Sequence, residues 1–77
     1  MRIGIIAAME PELALLKKET QLTETSEFHG FEFFVGQLKE VEVVLVRCGV
    51  GKVAAATACT LLIDKFEPDY VINTGSA

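Results

Sequence analysis

Ile3-Gly4-Ile5-Ile6-Ala7-Ala8 is a near-continuous apolar run, and Met9-Glu10-Pro11-Glu12 follows it directly. Apolar runs of this length are typical of strands that are buried on both faces, with helices packed above and below the sheet. Proline is tolerated at the start of a helix because its missing N–H would have no partner there. This stretch therefore predicts a buried strand that leads directly into a helix, as in α/β folds.

The chain around this stretch predicts the element order β, α, β-hairpins, α, β. Residues 10–19 form one amphipathic helix in this prediction, with an apolar stripe made of Met9, Leu13 and Leu16 and widened by Leu15. Residues 21–46 are rich in strand formers, with turns predicted at 29–30 and 37–40. Residues 53–63 are helical by propensity and apolar almost all round, so we expect that helix to be buried. Residues 70–72 are predicted to form a second short buried strand.

Composition excludes several classes of function. The 77 residues are 51% hydrophobic and 23% charged, so disorder is not expected, and the net charge of -4 with scattered Lys and Arg predicts no nucleic-acid partner. No apolar run approaches the roughly 18 residues of a membrane helix, and the start lacks a signal peptide. Cys48 and Cys59 fit neither a disulfide framework nor a zinc motif and are most simply small apolar side chains. We expect a cytoplasmic protein with no membrane partner.

Glu12 is the first candidate for chemistry. It lies in the predicted first helical turn, just beyond a strand, and in open α/β sheets ligands bind beyond the carboxyl ends of the strands. A carboxylate there, beside the positive end of the helix dipole, could activate water as a general base. The alternative is that Glu10 and Glu12 are ordinary acidic residues, which are favoured in any first helical turn.

Gly49-Val50-Gly51-Lys52-Val53-Ala54 invites two motif assignments that fit poorly. A Walker phosphate loop needs glycine and Ser or Thr where Val46 and Val53 stand. The dinucleotide fingerprint G-x-G-x-x-A fits better, but its acidic residue should end the next strand, and Asp69 instead precedes that strand. The alternative is that these glycines allow a tight turn and close helix–sheet packing.

The segment Asn73-Thr74-Gly75-Ser76-Ala77 could present backbone N–H groups and the Ser76 hydroxyl to a ligand. No His-Asp partnership supports Ser76 as a nucleophile, so a binding role is favoured over catalysis, and a plain polar turn is the alternative. His29 is most simply a solvated turn residue. Because a domain seldom ends on such a loop straight after a strand, we expect residues 1–77 to be part of one truncated domain.

Three stretches together resemble the bacterial 5′-methylthioadenosine/S-adenosylhomocysteine nucleosidases of the phosphorylase/nucleosidase superfamily. They are the opening run 3–12, Cys48-Gly49-Val50-Gly51-Lys52-Val53-Ala54-Ala55, and Val71-Ile72-Asn73-Thr74-Gly75-Ser76-Ala77. The resemblance covers the whole chain but roughly the first third of such an enzyme. It implies a three-layer α/β/α sandwich around a mixed sheet and a cytoplasmic homodimer. It also implies hydrolysis of the N-glycosidic bond, which releases adenine and a thioribose without metal or cofactor.

The resemblance also assigns roles to individual residues. Glu12 matches the glutamate that activates the attacking water, and Ala8 and Met9 match residues on the ribose and water side of the pocket. Val50 matches a contact to the 5′-alkylthio group. Ser76 matches a serine that supports the catalytic aspartate, and Ala77 lies in the adjoining base-pocket loop.

Some features of the family pattern are changed or missing. Ala7 stands where glycine is common, Pro11 where an acidic residue is common, and Cys48 where serine is usual. The aspartate that protonates the departing adenine, the ribose-binding glutamate, the purine-stacking aromatic residues and the pocket wall lent by a partner subunit all lie beyond this chain in the family. We therefore expect the 77-residue segment alone to be inactive.

Three other functions remain open from the sequence. A purine or uridine phosphorylase would need a cationic phosphate cradle, where Glu10 and Glu12 instead place negative charge. Futalosine hydrolase is a near relative whose substrate choice is set beyond Ala77. The third is an inactive fragment that acts only as an interaction module, with an apolar surface left uncovered.

Overall fold

The computed structural model describes residues 1–48 and 52–74 and confirms the predicted order of elements. The elements are β1 (Arg2–Ala7), α1 (Glu10–Glu19), β2 (Gln21–Phe28), β3 (Phe31–Leu38), β4 (Val41–Arg47), α2 (Lys52–Phe66) and β5 (Tyr70–Asn73). Tight turns at 29–30 and 39–40 join β2, β3 and β4. The first turn uses Gly30 at φ 84°, a left-handed conformation that glycine adopts without steric cost.

The five strands form one mixed sheet in the order β2-β3-β4-β1-β5. β2, β3 and β4 pair antiparallel as two hairpins, whereas β1 pairs parallel with β4 on one side and β5 on the other. Ile6 on β1 is opposite Val46 on β4 and Asn73 on β5. β1, which was predicted from the opening apolar run, therefore lies between the two strands that run parallel to it, β4 and β5.

The helices cover opposite faces of the sheet, so the predicted α/β/α layering is confirmed. Leu13 of α1 packs on a buried cluster whose sheet members are Ile5, Ala7, Phe34, Val43 and Leu45. Ala58 and Leu62 of α2 pack on the other face, against Ile6, Phe33, Val44, Val46 and Cys48. Alternate residues of β1 and β4 face opposite helices, because successive side chains of a strand point to opposite sides. Within residues 1–48 and 52–74, no helix is long and apolar enough to span a membrane.

Gly4 allows α2 to approach β1 closely. A Cβ added at Gly4 would lie 2.5 Å from Cδ2 of Leu62, a side chain that is fully buried. Real Cβ atoms do not come this close to other heavy atoms, so any larger residue would displace the leucine or the helix. The glycine thus sets the distance between α2 and the central strand.

Arg2 joins the amino ends of the parallel strands. Its Nε donates to Glu42 Oε1 on β4 at 2.6 Å, and its Nη1 donates to the carbonyl of Phe66, the last residue of α2. The Arg2 backbone exchanges hydrogen bonds with Asp69, at 2.8 Å to its carboxylate and 2.7 Å from its amide. The hydrogen bond from Arg2 lowers the pKa of Glu42 below its ordinary value and raises the pKa of Arg2.

Three expectations about burial are wrong for this chain. Leu15 does not widen the stripe of α1: it is 63% exposed, and Met9 is 57% exposed, because the helix contacts the sheet along the narrower line of Leu13 and Leu16. The helix α2 is buried on one side only, since it has the sheet beneath it and Val53 and Ile63 are exposed on its surface. All four residues of β5 are exposed because β5 is the edge strand of the described sheet.

Candidate active site

The carboxyl ends of the three parallel strands β1, β4 and β5 lie side by side at one edge of the sheet. At this edge the amide of Cys48 donates to the carbonyl of Ala7 at 3.0 Å. On the other side of β1, the amide of Thr74 donates to the carbonyl of Ile6 at 3.0 Å, and the Thr74 hydroxyl donates to the same oxygen at 3.3 Å. The chain segments after β1, β4 and β5 therefore start side by side, although they are far apart in sequence.

Glu12 lies at the third position of α1, where its side chain turns back to the start of the helix. The amide of Met9, the N-cap residue in an extended conformation (φ -129°, ψ 151°), donates to Glu12 Oε1 at 3.2 Å. This is half of a capping box, because the Met9 side chain has no oxygen to return the bond. The half-buried carboxylate is therefore fixed at the amino end of a helix and at the carboxyl edge of the sheet.

An ion pair links the first turn of α1 to the end of β4. The Nε of Arg47 lies 3.2 Å from Oε2 of Glu10, and both side chains are more than half exposed. The sequence did not indicate this pair, because contact between residues 37 positions apart depends on how α1 packs beside β4. The Arg47 side chain therefore places a positive charge at this edge of the sheet, and that charge is paired with the Glu10 carboxylate.

Three of the residues that the resemblance singled out, Ala8, Met9 and Glu12, lie among the described residues. Ala8 is half-buried against the core beneath α2, and Met9 projects from the surface. Together with Glu12 in the first turn of α1, these residues lie directly after the carboxyl end of β1. Val50, Ser76 and Ala77 lie outside the described residues, as do Gly49 and Gly51.

This arrangement suits acid–base chemistry on a small ligand. A carboxylate held in place beyond the end of a central parallel strand lies where open α/β sheets bind their ligands. The amino end of α1 places a partial positive charge beside that carboxylate. Among residues 1–48 and 52–74, no three His, Cys, Asp or Glu side chains come together in a way that could hold a metal ion.

Comparison with known proteins identifies similar chains. The chain is 57% identical over all 77 residues to the 5′-methylthioadenosine/S-adenosylhomocysteine nucleosidase of Shewanella loihica, of which it covers 34%. The crystal structure of the nucleosidase from Colwellia psychrerythraea 34H, in complex with adenine, is 53% identical and superposes with a TM-score of 0.93. The match includes 100% of this chain and 32% of the Colwellia chain. A more distant structure, a futalosine hydrolase mutant of Helicobacter pylori, is 25% identical with a TM-score of 0.82. That match includes 95% of this chain and 34% of the Helicobacter chain.

The chain thus spans about a third of the length of the curated relatives that it matches. Its sheet order, its two helix layers and the edge that carries Glu12 all lie within that third. The match to a family extends from residue 2 to residue 77, which is nearly the whole sequence. On this basis the chain belongs to the phosphorylase superfamily.

Proposed function

We propose that this chain is the N-terminal segment of a single-domain nucleosidase that hydrolyses 5′-methylthioadenosine and S-adenosylhomocysteine. The reaction breaks the N-glycosidic bond and releases adenine and the thioribose. The observation that carries the proposal is the position of Glu12, fixed at 3.2 Å by the Met9 amide at the carboxyl edge of the parallel strands. Similarity to nucleosidases over the whole chain supports the choice of substrates.

In the proposed mechanism Glu12 removes a proton from the attacking water. The water oxygen forms a bond to the anomeric carbon, the bond from that carbon to the adenine nitrogen breaks, and the adenine takes a proton from an acid outside this chain. We assign Oε2 of Glu12 to the water, since Oε1 accepts the Met9 amide. Ala8 and Met9 would line the ribose and water side of the pocket, and Val50 would contact the 5′-alkylthio group. Ser76 would support the catalytic aspartate, and Ala77 would lie in the adjoining base-pocket loop.

The proposal extends to the state of the protein. The complete enzyme would be a cytoplasmic homodimer that works without a cofactor, and strands beyond residue 77 would pair with β5. The exposed residues of β5 and the length of the relatives support the presence of further strands beside β5. The 77-residue chain of 8.4 kDa is then expected to release no adenine by itself, whereas the complete protein should.

The decisive experiment is Glu12→Gln in the complete protein. Glutamine keeps an oxygen that can accept the Met9 amide, so the capping bond survives, but it cannot act as a base. We expect kcat for adenine release to fall by at least about 100-fold, which is the lower range for loss of a general base, with the unfolding free energy little changed.

The matched control is Glu10→Gln, which removes a carboxylate from the same helical turn. Glu10 pairs with Arg47 on the surface, so its loss should leave turnover within a few-fold of the original rate. Near-normal turnover in Glu12→Gln would contradict the assigned role and leave the capping bond as the reason for the residue. An equal loss in both variants would point to charge at this edge, not to a base.

Two related reactions are separated by the same assay. The similarity to the Helicobacter pylori futalosine hydrolase makes futalosine the first competing substrate to test. A preference for it would change the substrate but not the role of Glu12. A phosphorylase would need added phosphate for turnover, and the engagement of Arg47 by Glu10 argues against a phosphate site at this edge.

A further inference from the structure

Thr74 attaches the end of β5 to β1 through two hydrogen bonds to one oxygen. Its amide donates to the carbonyl of Ile6 at 3.0 Å, and its hydroxyl donates to the same oxygen at 3.3 Å. Thr74 is an exposed residue, and a hydroxyl that faces solvent can bond water instead, so the hydroxyl bond adds little to stability. Its main effect is therefore on geometry, because it fixes the direction in which the chain leaves the strand.

β5 is a short strand of four residues, and a side chain attaches it to β1 at each end. At its start the Asp69 amide donates to the Arg2 carbonyl at 2.7 Å, and the Asp69 carboxylate accepts the Arg2 amide at 2.8 Å. This first attachment lies at the amino ends of the parallel strands, whereas the Thr74 attachment lies at the carboxyl ends, where Glu12 is held. The stability of β5 and the geometry of the candidate site can therefore be changed separately.

The acceptor of the Thr74 hydroxyl belongs to the firmly packed part of the molecule. Ile6 is 2% exposed and lies in the buried cluster beneath α2. Three residues further along the chain, the amide of Met9 donates to the Glu12 carboxylate at 3.2 Å. The same short stretch of chain therefore holds the end of β5 on one side and the proposed general base on the other. Through this stretch, Thr74 links the position of the β5 end to that of Glu12.

We propose that Thr74 is a positioning residue for the reaction of the proposed function, on which this inference rests. Ser76 and Ala77, which that function assigns to the pocket, follow within three residues of Thr74. Because consecutive Cα atoms are about 3.8 Å apart, the position of Thr74 restricts where these two residues can lie. A hydroxyl has one proton, and Thr74 gives it to the Ile6 carbonyl, so Thr74 acts by orienting the chain and not by donating to substrate.

The experiment compares Thr74→Val with Thr74→Ser in the complete protein. Valine keeps the β-branched shape and the amide bond to Ile6 but has no hydroxyl, whereas serine keeps the hydroxyl. A misplacement of about 1 Å can cost about 100-fold in rate, so Thr74→Val should lower kcat for adenine release by about 10- to 100-fold. KM should change less than kcat, and Thr74→Ser should retain kcat within a few-fold. Thr74→Ala also lacks the hydroxyl and should reproduce the loss, which tests the inference even if the valine variant folds poorly.

Two control variants remove comparable bonds elsewhere in the sheet. The Thr23 hydroxyl on β2 donates to the Val35 carbonyl at 3.2 Å, so Thr23→Val makes the same chemical change away from the candidate site. Asp69→Ala removes the side-chain attachment at the other end of β5. Chemical denaturation should show at least as large a loss of unfolding free energy for Asp69→Ala as for Thr74→Val. In both controls kcat per folded molecule should stay within a few-fold of the original rate.

Each contrary outcome has a separate meaning. Near-normal kcat in Thr74→Val and Thr74→Ala would overturn this inference alone, since Glu12→Gln tests the proposed function independently. Equal losses in the valine and serine variants would also overturn it, because the hydroxyl would not be the group that matters. A loss in Asp69→Ala as large as that in Thr74→Val would assign the effect to general loosening of β5, against the inference. An original protein that releases no adenine would refute the proposed function and this inference together.

Discussion

An Arg–Glu ion pair lies at each end of the parallel strands, and the two pairs differ in their distance, in their exposure to solvent and in the number of elements that they connect. At the amino ends, Arg2 and Glu42 lie 2.6 Å apart with about a third of each side chain exposed, and Arg2 also bonds the carbonyl at the end of α2. At the carboxyl ends, Arg47 and Glu10 lie 3.2 Å apart and are more than half exposed. One pair joins β1, β4 and α2, whereas the other joins two elements at the surface.

This difference indicates that the amino ends of the strands contribute mainly to stability and the carboxyl ends mainly to function. The amino ends are closed by polar contacts that fix where α2 stops and β5 begins. The carboxyl ends hold Glu12 and the starts of three chain segments, and this is the edge where we propose that the ligand binds. Substitutions at the amino ends should therefore change stability with little effect on turnover, whereas Glu12→Gln at the carboxyl ends should change turnover with little effect on stability.

Gly4→Ala should lower the unfolding free energy more than any of the ion-pair substitutions that follow. The new Cβ would lie 2.5 Å from Leu62, and overpacking of this kind costs roughly 1–3 kcal/mol. Chemical denaturation of the complete protein measures the loss, and kcat per folded molecule should be unchanged because Gly4 lies in the amino half of β1. A large fall in kcat would break the proposed division between the two ends.

The control for this prediction is the same substitution in a Leu62→Ala background. Leu62→Ala by itself removes a fully buried side chain and should cost about 2–5 kcal/mol. With the leucine gone, the added methyl group at residue 4 has room, so its further cost should shrink towards zero. Additive losses would show that the strain at Gly4 comes from something other than contact with Leu62.

Arg2→Gln and Arg47→Gln form a matched pair that tests the comparison directly. Arg2→Gln removes an ion pair and a hydrogen bond to the Phe66 carbonyl, so the unfolding free energy should fall by about 1 kcal/mol. Arg47→Gln removes only an exposed pair and should cost less than about 0.5 kcal/mol. Equal losses, measured by denaturation at the same ionic strength, would contradict the difference between the two edges.

Local sequence patterns predicted most of the fold because the elements are formed by strong local signals. The apolar run before Pro11 predicted β1 and α1, and the strand formers with their turns predicted both hairpins. The predictions that were wrong concern which side chains are buried. β5 and the outer side of α2 are apolar in sequence yet exposed in this chain, because burial depends on what packs against an element, which no local pattern contains.

The candidate site could be predicted only through the combination of three separated stretches. Glu12 was found by its place after a buried strand, and parallel pairing then brought the stretches together. The Met9–Glu12 bond was missed because the usual capping signal begins with Ser or Thr, and methionine stands there. The Arg2–Glu42 and Arg47–Glu10 pairs were missed because each depends on which residues of β1, α1 and β4 come together in space.

The pH dependence of the Arg2–Glu42 pair should give the smallest effect. The hydrogen bond from Arg2 holds the pKa of Glu42 below 4.5, so between the two pKa values the unfolded chain binds more protons than the folded one. The stabilisation is therefore complete above pH 4.5 and is lost as pH falls through the lower pKa of the folded state. Since about a third of each side chain is exposed, it should amount to less than about 1 kcal/mol.

Glu42→Gln measures this contribution, with Glu24→Gln on the exposed strand β2 as the control for a general change of charge. The difference in unfolding free energy between the original protein and Glu42→Gln should shrink as pH falls below 4.5. It should also shrink at high salt, because partly exposed charges are screened. The Glu24→Gln difference should be small throughout. A Glu42 difference that stays constant with pH would mean that the side chain acts by packing, and the amino ends would then owe their stability to the Phe66 and Asp69 contacts of Arg2.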